Sequence, residues 1–230
     1  MGAEAKTSQL STTVDRAGEL LHLLALSPEG LGINQLSRDL DTQRAPIGRI
    51  LQALMRHRLV HRDANKRYFL GVGTLELANA YTSRFPSGLE SVLATLADET
   101  DMTAMLIEAE GEEMTTVLAK PPSSSAVHVF TPPGFRHPPG PLSMRTALAA
   151  AQPARADDSE EVRKARERGF AVGRGNTVPG RYGAAAVVPG TVAKGAPLIL
   201  VLVAFDDFDQ EAIREPLLRA ATTIAYSMSP

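Results

Sequence analysis

Apolar residues in the first third of the chain recur three and four positions apart, then give way to short apolar runs. Val14, Ala17, Leu20, Leu21 and Leu24 fall on one stripe, which predicts a helix after Ser11-Thr12-Thr13 with Thr12 or Thr13 as N-cap. Ser27-Pro28-Glu29-Gly30 stops it. Ile33, Leu36 and Leu40 predict a second helix, and Asp41-Thr42 a short turn. A third helix starts near Arg44, with Pro46 in its first turn, where a missing N–H costs little. Ile47, Ile50, Leu51 and Leu54 form its inner face, with Arg49, Gln52 and Arg56 elsewhere. Residues 59–62 and 67–71 read as two short strands around the polar turn 63–66, a β-hairpin. Residues 74–84 read as a further helix, and Phe85-Pro86-Ser87-Gly88 breaks it.

Beyond that break the pattern alternates. A helix is predicted over 89–99, then strands over 102–108 and 113–119 flanking Glu110-Gly111-Glu112, and a short strand over 127–130. Residues 131–141 hold five prolines and read as an irregular loop. Ser143 caps a short helix to Ala151, and a charged helix runs from Asp157 to Arg168, ended by Gly169. Strands over 170–173, 183–188 and 198–204 and an amphipathic helix over 211–227 complete the chain. Strands with helices outside them predict a sensor-like α/β domain. Residues 1–10 read as a disordered tail, 11–72 as a first domain of three helices and a hairpin, 73–86 as a linker helix and 87–230 as a second domain.

Composition adds limits. With 230 residues the chain is long enough for one large or two modest domains, and 43% hydrophobic against 22% charged residues is a globular balance. There is no cysteine, which excludes disulfides, cysteine-ligated zinc and thiol catalysis and fits a reducing cytoplasm. The apolar run Pro197 to Phe205 is nine residues, too short to span a bilayer, and residues 1–9 lack the apolar core of a signal peptide, so no membrane partner is expected.

The net charge of −2 hides an asymmetry. Residues 1–85 carry eleven Lys and Arg against eight Asp and Glu, a net of +3, and the remainder carries −5. Between Gln43 and Arg67 seven basic residues, Arg44, Arg49, Arg56, Arg58, Arg62, Lys66 and Arg67, face one acid, Asp63. Such an excess belongs either to a solvated face or to a surface for a polyanion. Two helices joined by the tight turn Asp41-Thr42-Gln43 favour the second reading, because that turn projects the start of the following helix into a major groove. Gln43, Arg44, Arg49, Gln52 and Arg56 carry donors suited to base edges or phosphates, and Ala45 and Gly48 permit close approach. Arg62, Lys66 and Arg67 on the hairpin suit phosphates or the minor groove. The competing reading is a protein-interaction module whose basic helix binds an acidic partner.

The same residues resemble a known family. Thr13-Val14-Asp15-Arg16-Ala17 with Leu20-Leu21, Gly32-Ile33-Asn34-Gln35-Leu36-Ser37, Ile47-Gly48-Arg49-Ile50-Leu51-Gln52-Ala53-Leu54, and Leu59-Val60 followed by Tyr68-Phe69-Leu70-Gly71 are similar, in order and spacing, to the motifs of the IclR family of bacterial transcription regulators. Leu93 to Thr100, Arg168-Gly169-Phe170-Ala171 and Gly180 to Pro189 resemble its second domain. The resemblance implies an α+β chain: a winged helix-turn-helix, a linker helix and a GAF-like effector-binding domain. It implies a homodimer or dimer of dimers on a palindromic double-stranded DNA operator, a small-molecule effector, commonly a carboxylate or aromatic acid, and no cofactor. The chain departs from the family at Ala45-Pro46, where Ser-Thr is usual, and at Met144-Arg145, where Gly-Lys is common. The stretch from Ala151 to Asp157 is short for the family. Gly173 replaces a frequent acid, and Leu202 and Ala204 stand where serines are frequent, which predicts a more apolar pocket.

For that pocket the apolar candidates are Met102, Met105, Phe130, Phe135 and Met144, each of which is otherwise ordinary core. The polar candidates are Ser143, Arg145, Arg174 and Arg181, where an arginine would take a carboxylate bidentately or simply face solvent. Catalysis is not expected. There is no Gly-x-Ser-x-Gly elbow, Gly71-Val72-Gly73 and Gly173-Arg174-Gly175 are incomplete as phosphate loops, and His22, His57, His61, His128 and His137 have no metal-ligand spacing.

Overall fold

A computed structural model describes residues 12–124, 128–129, 131–174 and 180–228. The tail expected over 1–10 lies outside them. The chain divides between Arg84 and Phe85 into two compact units.

In the first unit α1 (Thr12–Ala25) buries Leu20 and Leu24. The loop after it ends at Gly30, whose φ is +66° and where a Cβ would lie 2.6 Å from the Phe69 ring, so only glycine closes this turn. β1 (Leu31–Gly32) follows, a strand of two residues that no periodicity announces. α2 (Ile33–Asp39) and α3 (Arg44–Arg56) flank the turn, in which Asp41 takes φ +41° and the Thr42 N–H donates to the Ser37 carbonyl at 2.9 Å. β2 (Val60–Arg62) and β3 (Arg67–Leu70) form the hairpin, and β1 adds to its far side in the order β1-β3-β2. Leu20, Leu36, Ile47 and Leu51 are fully enclosed at the centre of the core these elements share. α4 (Gly73–Thr82) closes the unit and buries only Gly73.

The second unit is a five-stranded sheet with helices on both faces. Its elements are α5 (Leu89–Thr100), β4 (Thr103–Glu110), β5 (Glu113–Lys120), α6 (Ser143–Ala150), α7 (Glu160–Arg168), β6 (Ala171–Arg174), β7 (Tyr182–Val187), β8 (Leu198–Ala204) and α8 (Gln210–Ser227), with a 3-10 turn over Val192–Lys194. The order is β5-β4-β8-β7-β6, and every pairing is antiparallel. β8 lies between β4 and β7 and is covered on both faces, which explains its unbroken apolar sequence. Leu198, Leu200 and Leu202 face α5 and α8 with Ala104 and Leu106. Ile199 and Val201 face α6 and α7 with Met105 and Ile107.

Several expectations are corrected here. No strand forms at His128 and Val129, and the rest of that prediction falls on Val127 and Phe130, outside the described residues. Ser143 is not a cap: Leu142 holds that position and Ser143 is the first helical residue. α7 starts at Glu160 rather than Asp157, because the Ser159 hydroxyl accepts from the Val162 N–H and caps it there. Neither β1 nor the 3-10 turn was anticipated, since segments of two or three residues carry no period.

Candidate functional site

Two places carry chemistry, one in each unit. On α3, burial of Ile47, Ile50, Leu51 and Leu54 leaves Ala45, Arg49, Gln52 and Arg56 on the opposite side. Their spacing of four, three and four keeps them on a single exposed stripe. Arg49, Gln52 and Arg56 edge one shallow depression with Met55. Gln43 is the N-cap residue and makes no side-chain cap bond, so it and Arg44 stay exposed at the helix start. Gly48 sits differently from expectation. It is half-buried, and a Cβ there would meet Ile33 Cδ1 at 3.9 Å, so its surface faces α2.

The hairpin presents Arg62 and Lys66 outward. Arg62 lies over the Tyr68 ring, 5.3 Å from its centroid, and Lys66 holds φ +65° at the turn. Among the described residues none of Arg44, Arg49, Arg56, Arg62 and Lys66 pairs with a carboxylate, which leaves this face electropositive. Arg67 is occupied instead. Its Nε donates to the Glu29 carbonyl at 2.7 Å and its Nη2 to the Gly30 carbonyl at 2.6 Å, tying the hairpin to the loop before β1.

In the second unit a cavity of about 170 Å³ opens between the sheet, the start of α6 and the proline-rich loop. Met105, Val201 and Val203 form its apolar floor, with Val129, Phe135 and Met144 around it. Thr131, His137, Ser143, Arg174, Arg181 and Tyr182 bring polar atoms to it. Gly173 and Gly183, paired across β6 and β7, lie under the first turn of α6. A Cβ on Gly173 would stand 3.2 Å from Ser143 Cβ, and one on Gly183 3.4 Å from Ser143 Oγ, so the two glycines make room for that turn.

Residues 13–64 match the family model of the IclR helix-turn-helix domain. The fold of the whole chain is shared with solved IclR regulators. The IclR transcriptional regulator from Alicyclobacillus acidocaldarius superposes with a TM-score of 0.79 at 18% identity, covering 96% of this chain and 100% of that one. For Pseudomonas aeruginosa HmgR the values are 0.72, 24%, 96% and 100%. For Thermotoga maritima IclR they are 0.65, 17%, 94% and 98%. No curated protein matches the sequence. The Alicyclobacillus acidocaldarius protein is a transcriptional regulator. No helix among the described residues is long and apolar enough to cross a membrane.

Of the residues expected in the IclR-type effector pocket, the cavity gathers Met105, Phe135, Ser143, Met144, Arg174 and Arg181. Met102 belongs elsewhere: it is buried in the core against α5 and α8, on the opposite face of the sheet. Arg145 is not part of the lining. Its Nη1 donates to the Glu112 carbonyl at 3.0 Å and lies 3.5 Å from the Glu112 carboxylate. Phe130 is outside the described residues. Leu202 also points to the opposite face, so Val201 and Val203 present the strand to the cavity, a one-residue difference that exchanges the two sides. Nothing in the sequence places Thr131, His137, Tyr182 or Gly183 at this cavity, because their strands and loop meet only in three dimensions.

His137 has a physical signature of its own. Its Nε2 lies 2.9 Å from Thr116 Oγ1, and the Phe135 ring packs edge-on against it. Burial first, then the charges of Arg145 and Arg181, push its pKa down from 6.5 to about 4. The unfolded chain therefore binds this proton first as pH falls. The contribution to stability is full above pH 6.5 and is lost progressively as pH falls from 6.5 through about 4. Thermal melts of the wild type and His137→Gln across that range should diverge, with the variant less sensitive to acid. Parallel curves would mean that other groups dominate the acid response.

Proposed function

We propose that the chain is a cytoplasmic, ligand-responsive transcription regulator that binds a palindromic operator in double-stranded DNA as a dimer or a dimer of dimers. The observation that carries the reading is the exposed stripe Ala45, Arg49, Gln52 and Arg56 on the second helix of a helix-turn-helix. Gln43 and Arg44 extend it at the N-terminus, and Arg62 and Lys66 reach the backbone from the wing, where phosphate contacts set register. A small aromatic or apolar acid in the second unit's cavity changes DNA affinity by favouring one arrangement of the dimer. Only a difference in its affinity for the two arrangements moves that equilibrium.

The test is binding to operator DNA, selected from random duplexes, at several salt concentrations. Log affinity falls with log salt at about −0.9 per neutralised phosphate. Arg49→Ala weakens binding by roughly 1–3 kcal/mol and relaxes sequence preference at one position of each half-site. Lys66→Ala weakens all duplexes alike. An Arg49→Ala protein with unchanged affinity and preference removes Arg49 from the reading surface. The absence of any DNA binding favours an acidic protein partner for the same helix.

A further inference from the structure

Of the hairpin's Lys and Arg side chains, those of Arg62 and Lys66 turn outward and that of Arg67 turns back onto its own unit. One edge of the Arg67 guanidinium, Nε and Nη2, donates to the carbonyls of two consecutive residues, Glu29 and Gly30, at 2.7 and 2.6 Å. These carbonyls belong to the loop between α1 and β1. A planar fork meets two acceptors at once, which an ammonium on a flexible stem does not reproduce. Phe69, two residues on and so on the same face of β3, sets its ring against Gly30 of that loop. Gly30 is itself held by its N–H, which donates to the Ser27 carbonyl at 2.9 Å. The start of β3 is therefore seated on this loop by one bidentate polar contact and one aromatic contact.

The place of this seat along the hairpin gives it a consequence. β3 begins at Arg67, at the end next to the turn. The turn is shaped locally: the Asp63 N–H donates to the Arg67 carbonyl at 2.9 Å, and the Arg67 N–H to Asp63 Oδ1 at 2.7 Å. Those bonds fix the shape of the turn and leave its direction open. Strands of three and four residues are short, and a two-stranded hairpin is marginal by itself in water. β1 supports β3 only where Leu31 stands opposite Tyr68 and Gly32 opposite Arg67. Gly32 is also the N-cap residue of α2. The tie thus runs from the wing's turn to the short strand that leads directly into the helix-turn-helix. Lys66 is the chain neighbour of Arg67, and Arg62 stands across the hairpin, over the Tyr68 ring. Both outward cations hang from the segment that Arg67 holds.

We infer that Arg67 is a positioning residue of the DNA interface: rather than touching a phosphate, it holds the start of β3 on the Glu29 and Gly30 carbonyls and so fixes where Arg62 and Lys66 stand relative to α3. The inference rests on the DNA-binding reading and adds to it a division of roles among the wing's cations.

The test measures binding of a duplex that the wild-type chain selects from random sequences. Arg67→Lys and Arg67→Gln are each expected to weaken it about tenfold, as the outward cations lose their phosphates. Sequence preference should stay as in wild type, because α3 is untouched. In an Arg62→Ala/Lys66→Ala background, Arg67→Gln should change affinity less than about twofold, since nothing is left to position. An Arg67 that binds phosphate directly gives another pattern: lysine replaces it well, and its loss adds in full to that of the other two. An Arg67 that only stabilises the unit gives the same loss in both backgrounds. Either pattern overturns the inference. Should the variants misfold by circular dichroism, the Arg67 Nε–H resonance of the wild type decides alone. It should exchange slowly in the free chain and keep its chemical shift on the duplex; fast exchange or a shift on binding overturns the inference. A wild-type chain that binds no duplex removes the DNA-binding reading and this inference with it. Binding by wild type and equal binding by Arg67→Gln removes this inference alone.

Discussion

Gly71→Ala should abolish operator binding by breaking the fold of the first unit rather than by touching DNA. A Cβ at Gly71 would stand 2.1 Å from the Arg58 carbonyl oxygen and 2.9 Å from the Val60 N–H nitrogen. Both are backbone atoms, so no side chain can rotate out of the way. The contact exists because β3 returns across the end of α3: Gly71 N–H donates to the Leu59 carbonyl at 2.8 Å and Gly73 N–H to the Arg58 carbonyl at 2.9 Å. Arg58 pairs with Glu76 over the same junction, which joins the end of the reading helix to the start of α4. To admit a methyl group, the strand must lift away and lose one or both bonds. Overpacking and the lost bonds together cost roughly 2–5 kcal/mol, a large share of a small domain's stability. Chemical denaturation followed by circular dichroism measures this. Gly18→Ala is the control: it lies in α1, a Cβ there meets nothing within 4 Å, and the change should stabilise by about 0.5–1 kcal/mol. A Gly71→Ala protein as stable as wild type would show that the junction is looser than drawn.

Leu200→Ala should damage the second unit and spare the first. Leu200 is fully buried at the middle of β8, opposite Leu106 on one side and Ala186 on the other, and packs toward α5 and α8. Truncation removes buried methyl groups and leaves a cavity between covered layers, at a cost of roughly 2–5 kcal/mol. For a unit of this size that lowers the melting temperature by about 10 °C or more. The first unit keeps its own core around Leu20, Leu36, Ile47 and Leu51. Calorimetric scans are therefore expected to show one transition displaced, with operator binding retained below it. Displacement of all unfolding heat together would mean that the two units melt as one.

The N-terminal elements are legible because each has a local cause. Period-3.6 stripes, a proline in a first turn and a polar turn between short runs are properties of consecutive residues, and the observed α1, α2, α3 and hairpin follow them closely. The basic stripe is legible for the same reason, since Ala45, Arg49, Gln52 and Arg56 share a face once the helix is granted. Gly48 and Arg67 mark where that logic stops. Whether a glycine faces DNA or α2, and whether an arginine faces phosphate or two loop carbonyls, depends on neighbours 15 and 37–38 positions away.

The second domain divides in the same way. Most of its strands and helices are readable, β8 most plainly, because burial on both faces forces an unbroken apolar run, whereas the strand expected over 127–130 is absent at His128 and Val129. The cavity was half readable: six of the expected residues line it, chosen for chemistry alone. Met102 and Met105 are both buried methionines in or beside β4, and nothing in their local sequence says that one faces α8 and the other the cavity. The sheet register decides it, as it decides between Leu202 and Val203. The sequence alone determined the helix-turn-helix, its charged stripe and the layered sheet, which rest on periodicity and turn chemistry. Only the tertiary structure decided that His137, the Gly173–Gly183 pair, Ser143 and Arg181 border one space, because that depends on long-range pairing of strands and on where the proline-rich loop returns to the sheet.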